Sequence, residues 1–465
     1  MKVALLADFG STFTKVAAVD VAEAALVGRA QMPTNVSGEI LDSYEDAARA
    51  ALRDIGVRAQ VVIELAASSA GGGLRMAAVG LVPSLTAAAA KTAALNAGAR
   101  LASVLTGTLT ERDAVNLADL DPEIVLFAGG TDDGREDLVL ENAAILAGSL
   151  TRAHVVVACN KAIANAVGAI FESTARSVTV VPNVLPDIGV VSIDVAREAI
   201  SRLFISEVIA GKKLSGSPRF GHLVRMATPD AVLRAAVLFA RTQARASGDG
   251  VLVTDVGGAT TDVYSVLQRR PVSGFGTKCK GFVSSPVIRT VEGDLGLRSN
   301  APGVLQADGR WLHQQVDVAG WLAEACERRS SHPGSVFASG SERELDEHLA
   351  VSCMFRSLER HCGSLGVRIG VADRPALVEQ GPNLTNCRTL VVGGGLLRET
   401  PGDRLVRQAL ARLPESVLAP RHYQVIVDRR YVLAAAGLLA QAQPQIAESL
   451  LRRELREEET ADESY

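Results

Sequence analysis

At 465 residues the chain is long enough for two to four domains, and 48% hydrophobic with 22% charged residues is the composition of a globular protein, not of a disordered one. A net charge of −4, 4% aromatic residues and no basic run offer neither the field nor the stacking surface that nucleic-acid binding uses. No apolar stretch is long enough for a bilayer, the first apolar run stops at Asp8 without forming a signal peptide, and six scattered cysteines without a CxxC pair suit reduced thiols, so the expectation is a cytoplasmic protein with no membrane or nucleic-acid partner.

Apolar runs predict strands over 2–7 and 15–20, and Tyr44, Ala48, Ala51, Leu52 and Ile55 at helical spacing predict a helix over 43–55. A strand follows at 60–67, then a loop of small polar residues at 68–73, an Ala-rich helix at 85–98 and a second helix at 101–109. These open an inserted subdomain over about 68–180 within a first lobe of 1–247. Strands at 123–128 and 155–158, each leading through a turn into a helix, make a crossover unit of a parallel sheet. Residues 182–188 read as a linker, with helices at 193–209 and 229–246 after it. A second lobe is expected over 248–422, in which 299–313 and 328–343 read as exposed loops. Asp428 reads as the cap of a helix over 431–443, placed in a C-terminal segment of 423–445, and the tail 452–465 as disordered.

Two stretches carry the chemistry. Asp-Phe-Gly-Ser-Thr-Phe-Thr-Lys runs from Asp8 to Lys15, and Asp-Val-Gly-Gly-Ala-Thr-Thr-Asp from Asp255 to Asp262, each after an apolar strand. Aligned at the aspartate, Gly10 falls on Gly257, Thr14 on Thr261 and Val16 on Val263. Amides around Gly10, Ser11 and Thr12, and around Gly257, Gly258, Ala259 and Thr260, can hold phosphate oxygens. Asp8 and Asp255 suit Mg²⁺, through water. Lys15 can reach a phosphate as a point charge or extend into water. Either stretch alone is also a plain β-hairpin turn, since Asp, Gly, Ser and Thr favour turns for conformational reasons; the repetition is what points to a nucleotide. A third turn, Gly393, Gly394 and Gly395 after a Leu-Val-Val strand, lets backbone approach a flat ligand and becomes the candidate adenosine contact.

Two further groups stay open. Gly129, Gly130 and Asp132 lie at a strand's carboxyl end, where α/β sheets bind ligands, or else form a turn with Asp132 and Asp133 facing water. Glu292, Asp294 and Arg298 crowd a Gly-containing loop, either as a salt-bridged surface turn or as cleft residues near the γ-phosphate.

The paired turns and the third glycine turn resemble the phosphate-one, phosphate-two and adenosine motifs of the acetate and sugar kinase, heat-shock chaperone and actin superfamily. The opening stretch at Asp8, the stretch Glu-Gly-Asp-Leu-Gly-Leu-Arg from Glu292 to Arg298, and Phe-Ala-Gly-Gly-Thr-Asp-Asp-Gly from Phe127 to Gly134 resemble the glutamate mutase accessory family, MutL or GlmL, over Val3 to about Ala440. The resemblance implies an α/β, two-lobed, actin-like (ribonuclease H-like) ATPase fold with ATP and Mg²⁺ in the cleft and a slow hydrolysis coupled to lobe rotation. It also implies an accessory or reactivating role for an adenosylcobalamin-dependent mutase. The chain departs from the family's pattern at Asp133 and at Cys159-Asn160, which leaves the identity of the mutase open. In this reading Asp255 orients or deprotonates water, Asp8 holds the metal, and Lys15, Thr12 and Thr260 touch the phosphates. The same fold serves small-molecule kinases, with Asp255 as the acceptor's base, and actin-like filaments; these are the rival readings.

Overall fold

The computed structural model describes residues 1–35, 38–53, 55, 59–70, 75–150, 152–175, 177–210, 214–243, 250–267, 278–279, 285–316, 320–335, 340–369, 375–398 and 400–455. They form two compact units. One comprises Met1–Ser68, Ala231–Lys278 and Arg289–Tyr465, the other Ser69–Asp230 and Cys279–Ile288.

The first unit holds two sheets of one design. In the first sheet, Lys2–Phe9 runs antiparallel to Phe13–Asp20, which runs antiparallel to Ala25–Pro33, while Gln60–Ser68 lies parallel on the other side of Lys2–Phe9. In the second, Gly250–Val256 runs antiparallel to Thr261–Val266 with Val287–Glu292 beyond it, and Cys387–Gly393 then Gln424–Val427 lie parallel on the other side. The hairpin registers match. Asp8 stands opposite Lys15, and Asp255 opposite Asp262. This is the two-lobed α/β, actin-like architecture expected from the sequence, with an α/β insertion.

Helix packing follows the apolar spacing. Helix Ile40–Arg53 turns Ile40, Tyr44, Ala47 and Ala51 onto the first sheet, and Val432–Ala442, apolar nearly all round, packs on strands Lys2–Phe9 and Gln60–Ser68. The second sheet is covered by Gly340–His361, whose Leu345, Leu349 and Leu358 join Leu252, Val256, Val263 and Val392 in one core.

The second unit is a parallel sheet. Its strands lie in the order Arg100–Thr106, Arg75–Gly80, Ile124–Phe127, His154–Val157, Ser177–Val180, the doubly wound order in which the first strand is second from the edge.

Four sequence readings are corrected. Residues 101–109, expected as helix, begin within the edge strand Arg100–Thr106, where Leu101, Ser103 and Leu105 alternate with more exposed residues at the strand period. Residues 299–313 are no loop: Ala301–Gln315 is helical on either side of a kink at Asp308 (φ −138°, ψ 25°) and buries Ala301, Val304, Asp308 and Leu312, a spacing masked by Gly303, Gly309 and Pro302. Residues 328–343 hold the end of helix Trp321–Ser331 and the start of Gly340–His361. Of the tail 452–465 read as disordered, residues 452–454 instead close helix Pro444–Glu454, and those beyond 455 lie outside the described residues. Among those described, no helix is long and apolar enough to cross a membrane.

Candidate functional site

The two hairpins close with one hydrogen bond, repeated. The Gly10 amide donates to the Phe13 carbonyl at 3.1 Å, and the Gly257 amide to the Thr260 carbonyl at 2.9 Å, three residues on in both turns. A Cβ on Gly10 would come within 2.7 Å of the Phe13 oxygen and one on Gly257 within 2.9 Å of the Thr260 oxygen, so neither position admits a side chain without a shift. Thr14 and Thr261, both fully buried, anchor the returning strands: Thr14 Oγ1 lies 3.0 Å from Thr34 Oγ1, and Thr261 Oγ1 donates to the Leu295 carbonyl at 2.9 Å. Ser11 stays exposed at the first tip, while Thr12 takes the Thr34 amide on its carbonyl at 2.9 Å. The tips approach each other: a Cβ on Gly258 would stand 3.9 Å from Thr12 Oγ1.

The matched register carries unmatched charges. Lys15 Nζ sits 3.7 Å from Asp8 Oδ2 and 4.1 Å from the centroid of the Tyr431 ring, and is 30% exposed. At the equivalent place opposite Asp255 stands an acid, Asp262, which takes Arg289 Nε at 2.9 Å and Nη2 at 2.6 Å on one oxygen. Arg289 is 2% exposed, and its pairing with Asp262 keeps its pKa above the ordinary value against the pull of burial. Burial pushes the Asp255 carboxyl up to about 6; Asp262, Asp428 and Asp8 push the same way and Lys15 opposes them.

The glycine turn closes over this acid. Gly393 pairs in register with Asp255, and a Cβ there would lie 3.3 Å from Asp255 Oδ1. Gly394 has φ +125°, and its Cβ would meet the Val256 carbonyl at 2.3 Å, so only glycine fits. A Cβ on Gly395 would stand 3.4 Å from the Tyr431 hydroxyl. Asp428, raised in pKa by burial, accepts the Val432 and Leu433 amides at 2.8 and 3.1 Å, capping helix Val432–Ala442.

Among the described residues no cluster of three or more His, Cys, Asp or Glu could ligate a metal.

Sequence reasoning passed over Asp262, Arg289, Asp428 as a neighbour of Asp255, and Tyr431. Asp262 was within reach, since the repeat offset that pairs Asp8 with Asp255 also pairs Lys15 with Asp262.

The remaining candidates are placed as follows. Arg360 Nη1 reaches Glu292 Oε2 at 2.6 Å, and its two Nη atoms grip Asp294 at 2.8 and 2.9 Å, holding the Asp294 carboxyl below its ordinary range. Arg298 makes a two-point pair with buried Asp346 at 2.8 and 3.0 Å while its amide donates to the Gly258 carbonyl at 2.7 Å. The stretch therefore braces the second turn from behind. Gly129, Gly130 and Asp132 belong to the other unit. There the Gly129 carbonyl takes the Asn160 amide, the Gly130 carbonyl takes Asn183 Nδ2, and Asp132 accepts Asn183 Nδ2 at 3.0 Å and the Lys161 amide at 3.2 Å. A Cβ on Gly129 would stand 3.2 Å from Val139 Cγ2 and 3.5 Å from Leu81 Cγ.

Comparison with known proteins agrees with the family resemblance. The family described as MutL protein matches residues 4–455. Protein MutL of Clostridium tetanomorphum is 34% identical over 460 residues, covering 97% of this chain and 98% of that one. Among solved structures, nucleotide-free acetone carboxylase aligns at TM-score 0.41 and 12% identity over 94% of this chain and 70% of its own. The activator of 2-hydroxyisocaproyl-CoA dehydratase from Clostridium difficile, with bound ADPNP, aligns at TM-score 0.32 and 10% identity over 98% and 99%.

Proposed function

The chain belongs to the MutL protein family, and from that premise we propose that it binds and slowly hydrolyses ATP to drive an accessory, reactivating role toward an adenosylcobalamin-dependent mutase in the cytoplasm. The observation that carries the nucleotide reading is the convergence of two identically closed glycine turns, with the Gly258 position 3.9 Å from Thr12 Oγ1 and an aspartate leading into each. Turns of this kind present amides to phosphate oxygens from both sides.

Phosphoryl transfer to water needs position and neutralised charge more than covalent help. Asp8 and Asp255 would hold Mg²⁺ through water, and that ion would offset phosphate charge. Lys15, Thr12 and Thr260 would touch the β and γ phosphates, and Gly394 and Gly395 would flank the adenosine. Asp255, with its carboxyl near 6, is ionised at neutral pH yet basic enough to orient and deprotonate water. A nucleotide biases the two lobes only by its different affinity for their arrangements, and that bias is what would act on the client.

The test is ATP turnover by wild type and Asp255→Asn, with and without a mutase whose cobalamin has been inactivated. Turnover that falls about a hundredfold or more in Asp255→Asn, and that restores mutase activity, is the expected result. Turnover indifferent to Asp255 would sink the site assignment, and Asp255-dependent turnover that ignores the mutase would point to a small-molecule acceptor instead.

A further inference from the structure

We propose that Tyr431 is the positioning residue that aims Lys15 at the nucleotide's phosphates. Resting on the nucleotide reading above, the inference starts from where Tyr431 stands. The chain leaves the second sheet at strand Gln424–Val427 and enters helix Val432–Ala442, which packs on the first sheet; residues 428–431 are the crossing. The crossing is pinned on both sides. The Asp428 amide donates to the Val392 carbonyl at 2.8 Å, while Arg430 Nη2 reaches the Leu26 carbonyl and Arg29 Nη1 the Arg429 carbonyl, both at 2.9 Å.

At its end Tyr431 adopts φ +55° and ψ 44°, one of three non-glycine residues at positive φ among those described. Left-handed backbone at a large side chain is strained and persists where the surroundings enforce it. What the conformation achieves is placement of the ring. Its face lies 4.1 Å from Lys15 Nζ in the first turn, and its hydroxyl lies against Gly395 in the third.

A lysine on a strand end has four free torsions and would sample water. With Asp8 Oδ2 at 3.7 Å on one side and the ring on the other, the ammonium is held at the cleft. The ring attracts the cation through its quadrupole while offering no acceptor that would compete with a phosphate oxygen. Orientation is thereby settled before the ligand arrives, which lowers the ordering cost of binding.

The experiment is equilibrium titration of the full chain with Mg²⁺ and a non-hydrolysable ATP analogue. A cation–π contact of this kind makes Tyr431→Leu bind about five- to tenfold more weakly, whereas Tyr431→Phe, which keeps the ring, stays within about twofold of wild type. Lys15→Met weakens binding as well, and adding Tyr431→Leu to it changes nothing more, because the two act as one unit. Equal losses from Tyr431→Leu with and without Lys15, or a Phe variant as weak as Leu, would overturn the inference. Binding that needs Lys15 but ignores Tyr431 would overturn it alone. No binding by wild type would remove the nucleotide reading and the inference together.

Discussion

Replacing Asp255 by asparagine should make the folded chain more stable while abolishing its proposed chemistry. The carboxyl lies at about 6 instead of 3.8 because burial, then Asp262, Asp428 and Asp8, outweigh Lys15. At about 1.4 kcal/mol per pH unit, that displacement makes ionised Asp255 cost the fold about 3 kcal/mol. The sign follows from proton affinity. The folded chain holds this proton more tightly than the unfolded chain does, so wild type loses stability as pH rises from about 4 to about 6 and keeps the deficit above that. Asparagine cannot ionise and has no such deficit. Thermal or urea unfolding, without nucleotide or Mg²⁺, should therefore show Asp255→Asn ahead by about 2 to 3 kcal/mol at pH 7.5, with the gap closing toward pH 4. An asparagine variant less stable than wild type at pH 7.5, or a gap that does not change with pH, would refute the reasoning. The first would mean that Lys15 stabilises the carboxylate more than burial and three acids oppose it.

Two further outcomes follow from the packing. Gly394→Ala puts a Cβ 2.3 Å from the Val256 carbonyl at φ +125°, and no rotamer relieves a backbone clash, so stability should fall by about 3 kcal/mol, read as a lowered melting temperature; an unchanged melting temperature would show that the turn is not held as described. Arg289→Met strips the salt bridge from Asp262 and should cost about 3 to 5 kcal/mol, most of it regained when Asp262→Asn is added. If the double variant is no more stable than the single one in urea, Arg289 acts by packing and not by charge.

What the sequence disclosed and what it hid divide along physical lines. The hairpins were legible because their determinants are local: an apolar strand, a glycine that excludes a side chain, and a threonine anchoring the return, all within about eight residues and repeated. Arg289 was not, because it meets Asp262 from a separate strand, and one arginine in Val-Ile-Arg-Thr-Val-Glu gives no sign of facing inward. Helix Ala301–Gln315 was hidden by composition: glycines, Pro302 and a buried Asp308 sit where a helix is expected to be apolar. Asp308 is satisfied by Arg356 at 3.2 Å and Arg412 at 2.7 and 2.9 Å, partners far along the chain. Propensity counts weigh residues one at a time, and these positions are decided by what lies across the fold.

The repeat also explains why the two turns are not interchangeable. Register places Lys15 and Asp262 at equivalent points, one facing Asp8 and the other facing Asp255. Lys15 stands opposite Asp8, with its Nζ 3.7 Å from Asp8 Oδ2. Burial first, then the acid opposite it, Asp262, raise the proton affinity of Asp255 against Lys15, while Arg289 pairs with Asp262 at 2.6 Å. One backbone device thus carries opposite charges at a single register position. Asp8, Asp255, Asp262 and Asp428 against Lys15 and Arg289 make four acids to two bases, so a bare triphosphate entering between these turns would add charge of the prevailing sign. The deficit of positive charge is what a divalent ion arriving with a nucleotide, as proposed above, would supply.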